Sequence, residues 1–186
     1  MSPFPELATP RLRLTRLTAD DAAGVFALFS DPAVVAYYDL EAFTDPAQAG
    51  ELIAFFNARF DDGAGIRWAI RRKDDERLLG TCGFNSWSPR MKHAVIGYDL
   101  ASHAWGQGYG SEAVRGIVRA AFAGLLPCGE LNRIQADTVP GNVASERLLK
   151  NIGFQEEGLR RQCGYWKNAF HDLKCFGLLR SDFSQA

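Results

Sequence analysis

The sequence predicts an α/β (α+β) protein built around one mixed sheet, and three observations lead to this class. Segments in which apolar and polar residues alternate are interleaved with segments of helical periodicity. No internal repeat or low-complexity linker divides the chain. With 186 residues, of which 47% are hydrophobic, the chain can bury one sizeable core. We therefore predict a single domain over residues 1–186, with a core from about residue 8 to residue 181, in which helices flank a central sheet.

The first part of the chain predicts a strand followed by two helices. In "RLRLTRL", Leu12 and Leu14 alternate with polar residues, as in a half-buried strand. Thr18 and Asp21 have the spacing of a capping box, which predicts a helix over "TADDAAGVFALFS". A second helix follows "TDP". Its predicted apolar face consists of Leu52, Ile53, Phe55, Phe56 and Phe60.

Three strands come next in the predicted order. They are "IRWAIRR", "LLGTCGF" and "HAVIGYDL", and the polar segments "KDDE" and "SWSPRMK" are the expected turns between them. A glycine-rich loop then leads into a helix with one apolar side. That side consists of Val114, Ile117, Val118, Ala121 and Phe122.

The last part of the chain predicts strand, helix, strand. "NRIQADTV" has the alternation of a strand, and "ASERLLKNIGF" predicts a helix. This helix should end near Gly153, because glycine readily adopts the left-handed conformation of a helix end. "FHDLKCFGLL" completes the set as the final strand.

Composition excludes several classes of protein. A net charge of −1 creates no field that would gather nucleic acid or an anionic membrane. The four cysteines form no C-x-x-C pair and no cluster with metal-ligand spacing, so we expect reduced thiols, no metal and a cytoplasmic location. No apolar run approaches the ~18 residues of a membrane span, and the start, "MSPFPELATP", has no secretory pattern.

The loop "WGQGYGSEA", residues 105–113, lies between a predicted strand and a predicted helix. The free N–H groups at a helix start attract anions. Gly106, Gly108 and Gly110 would let the backbone approach a phosphate without an intervening Cβ, and Ser111 adds a hydroxyl. A tight turn that merely begins the helix is the alternative. The spacing fits neither the dinucleotide fingerprint nor the P-loop, so neither NAD nor an NTP is favoured.

The order of several motifs resembles a known family. These are "TPRLRLTRLTADDA", "SDPAVVAYYD", "LLGTCGF", "IGYDL", "GQGYGSEA", "NVASERLLKNIGF" and "FHDLKCFGLL". Together they span almost the whole chain, and their order resembles the GCN5-related N-acetyltransferases (GNAT), specifically the RimJ/RimL-type protein N-acetyltransferases. The resemblance implies a mixed, mostly antiparallel sheet whose fourth and fifth strands splay apart. It also implies acetyl-CoA in the cleft between them, with its pyrophosphate on residues 106–111.

The resemblance assigns roles to individual residues. The expected acetyl-CoA contacts are Leu100, Gly106, Gln107, Gly108, Tyr109, Gly110, Ser111, Asn142 and Ser145. Ser145 would protonate the leaving sulfur of CoA, and Asn142 would contact pantetheine. Backbone groups of Tyr98 and Leu100 would contact pantetheine and the thioester carbonyl. The alternatives are structural: Asn142 caps a helix, Ser145 fills its first turn and Tyr98 belongs to the core.

The residues that serve many relatives as a general base are missing here. Val95 stands where many carry a glutamate, and Gly164 stands where some carry a carboxylate. The remaining titratable candidates are Asp99, His103 and His171, none of which has a distinctive setting in the sequence. His171 and the following aspartate should not form a dyad, because neighbouring residues of a strand point to opposite faces.

The lack of a strong general base affects which class of acceptor amine we expect. An α-amine is roughly 14% neutral at pH 7 whereas a lysine amine is only about 0.04% neutral, so a site without a strong base favours an N-terminal amine, or deprotonation through water. Small-amine acetylation (of an antibiotic, a polyamine or an amino acid) and a catalytically silent acyl-CoA-binding module are the alternatives. The expected acceptor pocket, whose aromatic residues could equally be core, consists of Tyr37, Tyr38, Phe84, Trp87 and Tyr165. The resemblance also makes a homodimer an expectation.

Overall fold

A computed structural model describes residues 3–183 of the chain and shows one eight-stranded sheet in the order β1-β2-β3-β4-β5-β6-β8-β7. The strands are β1 (Leu7–Ala8), β2 (Leu12–Arg16), β3 (Ile66–Arg72), β4 (Leu78–Ser88), β5 (His93–Leu100), β6 (Arg133–Thr138), β7 (Gln155–Trp166) and β8 (Ala169–Leu179). The helices are α1 (Ala22–Phe29), α2 (Pro32–Val35), α3 (Ala47–Asp61), α4 (Tyr109–Phe122) and α5 (Val143–Ile152). All pairings are antiparallel except β5 with β6, which confirms the predicted mixed, mostly antiparallel sheet flanked by helices.

The parallel pair β5 and β6 diverges after three residues. His93 to Val95 pair with Arg133 to Gln135, and beyond this point each strand continues without the other. These are the fourth and fifth strands predicted from the sequence, and their splay is confirmed. The divergence leaves an opening in the middle of the sheet.

The two faces of the sheet carry different helices. On one face, Trp68 and Ile96 pack with the apolar sides of α4 and α5. On the other face, Ala69 packs with α1 and α3. Since successive strand residues alternate between faces, Tyr98 belongs to the α5 face and Asp99 to the α1 and α3 face.

Short sequence patterns predicted the start of α1 and the end of α5 correctly. The backbone N–H of Thr18 donates to the Asp21 carboxylate at 2.8 Å, as a capping box requires, and a 3₁₀ turn at Ala19–Asp21 precedes α1. Gly153 ends α5 with φ at 113°, in the left-handed region. None of the helices within residues 3–183 is long and apolar enough to cross a membrane.

Several expectations about elements were wrong or incomplete. Strand β7 was missed, because ten of its twelve residues are exposed and show no alternation. The short elements β1 and α2 were also missed. Ser86 to Ser88 belong to β4, so the turn before β5 is shorter than predicted. Phe55 is 54% exposed, since the buried side of α3 consists of Ala49, Ile53 and Phe60.

Candidate active site

A cleft of about 1200 Å³ opens where β5 and β6 separate. The glycine loop, the start of α5 and the segment after α2 form its walls. Twelve of the residues expected to bind cosubstrate or acceptor line it: Tyr37, Tyr38, Phe84, Tyr98, Leu100, Gly106, Gly108, Tyr109, Gly110, Ser111, Asn142 and Ser145.

Three expected residues are not part of this lining, and their binding roles stay predictions. The Gln107 side chain turns back and donates to the carbonyl of His103 at 2.9 Å. Trp87 packs against the core on the α4 and α5 face. Tyr165 is 62% exposed, and its ring lies against Phe170. Strand alternation places its neighbour Trp166 in the cleft instead.

The glycine loop presents a row of free backbone donors. Within residues 3–183, no protein oxygen accepts a hydrogen bond from the backbone N–H groups of residues 106–111. Gly106 and Gly108 have φ values of 73° and 80°, a region that strongly favours glycine. These six consecutive N–H groups, at the start of α4, can bind an anionic group.

Arg11 stands beside this loop, a contact that sequence reasoning missed. Its guanidinium donates to the Gln107 carbonyl at 2.9 Å and to the Glu112 carboxylate at 2.7 Å, and it lies over the Tyr109 ring at 4.4 Å. Arg11 is about a hundred residues distant in the chain, so no local pattern indicates the contact. It fixes a positive charge next to the free N–H groups.

Two hydroxyl groups meet on the α5 side of the cleft. Tyr98 Oη lies 2.6 Å from Ser145 Oγ, and either hydroxyl can donate. Burial raises the pKa of the Tyr98 hydroxyl, so the pair is neutral and carries its protons at neutral pH. Asn142 holds this turn in place, because its side-chain oxygen accepts the Ser145 N–H at 3.3 Å. The sequence had directed attention to the Tyr98 backbone and not to its hydroxyl.

Leu100 lines the cleft with its carbonyl already engaged. The indole N–H of Trp105 donates to that carbonyl at 2.7 Å. The carbonyl is therefore occupied in this structure, which limits the backbone groups that the end of β5 can offer pantetheine. Trp105 itself is 48% exposed and lines the cleft.

None of the three base candidates presents a free group to the cleft. The Asp99 carboxylate is buried, pairs with Arg67 at 3.3 Å and accepts both the N–H and the hydroxyl of Thr81 at 2.9 Å. Burial raises the pKa of Asp99, a rise that Arg67 opposes. His103 is exposed and lies outside the cleft lining. The His171 ring stacks on the Trp166 ring, with 4.1 Å between the two ring centroids, and His171 is also outside the cleft lining.

The two positions at which the family resemblance leads us to expect a carboxylate, 95 and 164, lie in settings without one. Val95 lines the cleft with an apolar side chain. A Cβ at Gly164 would lie 2.0 Å from the Trp166 ring, so the tryptophan occupies the space of any side chain there. Asp172 does not pair with His171 and accepts the Gln162 N–H at 2.7 Å.

Long-range contacts from α2 and the residues that follow it close one side of the cleft. The Tyr37 hydroxyl donates to the Gly141 carbonyl at 3.1 Å, and Lys167, at the β7–β8 turn, donates to the Val35 carbonyl at 2.6 Å. Tyr38 accepts from Arg67 at 2.8 Å, and burial raises the pKa of its hydroxyl to about 12. The contacts bring α2 against both the β6–α5 loop and the last hairpin.

The described part of the chain holds no group of three or more His, Cys, Asp or Glu residues arranged to bind a metal ion. All four cysteines are free thiols.

The splayed strands, the free loop amides and the hydroxyl pair meet at one cleft. Comparisons with known proteins show the family to which the chain belongs. The family model described as "Acetyltransferase (GNAT) domain" matches residues 11–155. The chain belongs to the GNAT acetyltransferase family and is an acetyl-CoA-dependent N-acetyltransferase.

Individual relatives are similar over much of the chain. The uncharacterized N-acetyltransferase YoaA of Bacillus subtilis is 37% identical over 95% of this chain and 98% of its own length. The ribosomal-protein-serine acetyltransferase of Escherichia coli is 31% identical over 56% of this chain and 55% of its own.

Two solved structures share the fold. RimL, a ribosomal L7/L12 α-N-protein acetyltransferase in complex with coenzyme A, has a TM-score of 0.81 at 19% identity, covering 94% of this chain and 98% of its own. The microcin C7 self-immunity acetyltransferase MccE, in complex with acetyl-CoA and AMP, has a TM-score of 0.82 at 17% identity, covering 91% and 93%.

Proposed function

We propose that the protein acetylates the α-amine at the N-terminus of a protein or peptide. The observation that carries this proposal is the row of free N–H groups at residues 106–111 beside the Tyr98–Ser145 pair. The N–H groups would hold the pyrophosphate of acetyl-CoA, and the hydroxyl pair would supply a proton to the leaving sulfur. Acetyl-CoA supplies the activated acetyl group.

The proposed acceptor class has two supports. The candidate bases Asp99, His103 and His171 offer no free group to the cleft, so an amine that is already partly neutral at pH 7 is the suitable nucleophile. In addition, relatives that act on ribosomal proteins share part of this sequence or its fold. The four free thiols suit a reducing compartment, and a cytoplasmic location is part of the proposal.

In the proposed mechanism the hydroxyl pair handles the leaving group. As the C–N bond forms and the C–S bond breaks, Ser145 Oγ donates its proton to the sulfur. The Tyr98 hydroxyl, 2.6 Å away, returns a proton to Ser145. Tyr98 is then reprotonated from solvent, and the proton lost by the amine nitrogen ends in solvent, so the net products are an N-acetylated amine and a thiol. Asn142 keeps Ser145 in place through the first turn of α5.

The identity of the acceptor can be tested by measuring how fast the CoA thiol is released from acetyl-CoA in the presence of each amine of a panel. Peptides with varied free N-termini should be turned over, while the same peptides with a blocked N-terminus and an internal lysine should not. Turnover confined to amino acids, polyamines or aminoglycosides would establish the small-amine alternative. Acetyl-CoA binding without turnover of any amine in the panel would favour a silent module.

We expect Ser145→Ala to lower kcat by about 10²-fold, the lower end of the range for general acid help, because a CoA thiolate is a fairly good leaving group. The acetyl-CoA dissociation constant should change little, since the hydroxyl acts mainly in the transition state. Steady-state kinetics and calorimetry measure the two quantities.

Tyr98→Phe is the companion variant. If Tyr98 acts through Ser145, its effect on kcat should be smaller, and the double variant should be no slower than Ser145→Ala alone. Multiplied effects in the double variant would mean that the two hydroxyls act separately.

Asn142→Ala should lower the free energy of unfolding by about 1 kcal/mol through loss of the helix cap, and it should also weaken acetyl-CoA binding. Asn142→Ser is the matched variant, because serine can cap a helix but cannot replace the amide contact to pantetheine. Chemical denaturation should show Asn142→Ser near wild-type stability while its acetyl-CoA affinity stays reduced. Normal affinity in both variants would leave Asn142 only its capping role.

A further inference from the structure

Asp137 lies in the splayed part of β6 and lines the cleft. Val95 and Gln135 are the last residues that pair β5 with β6, and Asp137 follows two positions later. By alternation it shares a face with Gln135 and Val95. That face is opposite to the one on which Tyr98 meets Ser145, so Asp137 stands on the acceptor side of the opening.

The Asp137 carboxylate is only half satisfied. Its Oδ2 pairs with the Arg160 guanidinium at 2.5 Å, which reaches over β8 from β7 and also donates to Cys175 Sγ. Its Oδ1 is shielded from solvent and has no hydrogen-bond partner among residues 3–183. Buried carboxylate oxygens are rarely left without a donor, because the desolvated charge is then uncompensated. A donor from a ligand would complete the site.

An acceptor amine provides such a donor at the right stage. The nitrogen becomes positively charged as it attacks the thioester carbonyl, and its protons become acidic. Because Oδ1 is shielded in this structure, we propose that the Asp137 carboxylate turns towards the cleft, binds the acceptor nitrogen through Oδ1 and accepts its proton as the C–N bond forms. The N–H bond breaks, the O–H bond forms on Asp137, and the proton passes to solvent after product release. This inference rests on the proposed function and supplies the proton acceptor missing from it.

The role suits a weak base. A carboxylate is a far weaker base than a free amine, so it cannot deprotonate a free ammonium group efficiently. It can accept a proton from the far more acidic nitrogen of the tetrahedral adduct. The acceptor must therefore enter neutral, which keeps the preference for an α-amine over a lysine.

Sequence patterns gave no sign of Asp137. In "NRIQADTV" it occupies the polar phase of a half-buried strand, the position of an ordinary solvent-facing residue. Only the divergence of β5 turns this position towards a cleft.

The test compares Asp137→Asn with Glu157→Gln. Glu157 pairs with Arg133 across the same strand β8, but it does not line the cleft, so it is a matched carboxylate. Asp137→Asn should lower kcat/KM for a peptide acceptor by about 10² to 10⁴-fold, as loss of a general base does. Its acetyl-CoA dissociation constant and melting temperature should stay close to wild type. Glu157→Gln should keep wild-type kinetics.

Wild-type kcat/KM in folded Asp137→Asn, or equal losses in both variants, would overturn the inference. Wild-type enzyme without turnover of any amine would instead refute the proposed function, so the two failures are distinct.

A crystal structure with a peptide–CoA bisubstrate analogue tests the same point even if Asp137→Asn does not fold. We expect the acceptor nitrogen within about 3.2 Å of Asp137 Oδ1. A nitrogen beyond hydrogen-bond distance, with only water at Oδ1, would also overturn the inference.

Discussion

Gly108→Val should weaken acetyl-CoA binding by at least about 100-fold. A Cβ at this position would lie 3.3 Å from the Arg11 guanidinium, and φ is 80° in the native loop. Valine would force the loop out of this conformation and place a branched side chain where the pyrophosphate should approach. Hydrogen bonds to charged groups contribute about 1.5–3 kcal/mol each, so the loss of two is enough for the expected change. Calorimetric titration with acetyl-CoA measures it directly.

Gly129→Val is the matched control for this prediction. Gly129 has φ at 74°, no atom lies within 4 Å of its added Cβ, and it is outside the cleft lining. Both variants should lose comparable stability, of the order of 1–2 kcal/mol, through backbone strain. Only Gly108→Val should lose affinity. A folded Gly108→Val protein with unchanged affinity would remove the phosphate-binding role of the loop.

The glycine loop was also the feature most readily predicted from sequence. Its function depends on consecutive backbone N–H groups, and glycine spacing before a helix indicates such a loop. The roles of Ser145 and Asn142 were expected from the family resemblance, and the structure places both residues in the cleft lining. These features use residues that are close in sequence, so a pattern along the chain can detect them.

Features that depend on distant residues were not found. Arg11 reaches the loop from the start of the chain, and Tyr98 meets Ser145 through the packing of α5 on the sheet. Asp99 was a candidate base, whereas Asp137 occupies an ordinary polar position of a half-buried strand pattern. The structure separates them, because Arg67 and Thr81 engage both oxygens of Asp99 while one oxygen of Asp137 stays unpaired. Such differences arise from tertiary contacts and leave no mark on local periodicity.

The Arg67–Asp99 pair is the most deeply buried ion pair among residues 3–183. Both side chains are at least 96% buried, with 4% and 2% exposed. Arg67 also donates to the Gly97 carbonyl at 2.7 Å and to Tyr38, so it links Tyr38, which lines the cleft, to β5. Removing Asp99 would leave a buried guanidinium without its counterion.

Asp99→Ala should therefore lower the free energy of unfolding by about 3–5 kcal/mol, as is typical when one partner of a buried ion pair is removed. Asp61→Ala is a control, because Asp61 and Arg16 form a pair whose side chains are 41% and 38% exposed. Its cost should stay below about 1 kcal/mol. Urea denaturation followed by circular dichroism measures both.

The double variant Arg67→Met with Asp99→Ala completes the test. Once both charges are gone, no uncompensated ion remains in the core, so the double variant should be less destabilised than the sum of the two single variants. Strictly additive losses would show that the charges do not interact, and the destabilisation would then have to come from lost packing alone. A coupled result would instead explain why Asp99 is not available for catalysis, because its carboxylate compensates the buried charge of Arg67.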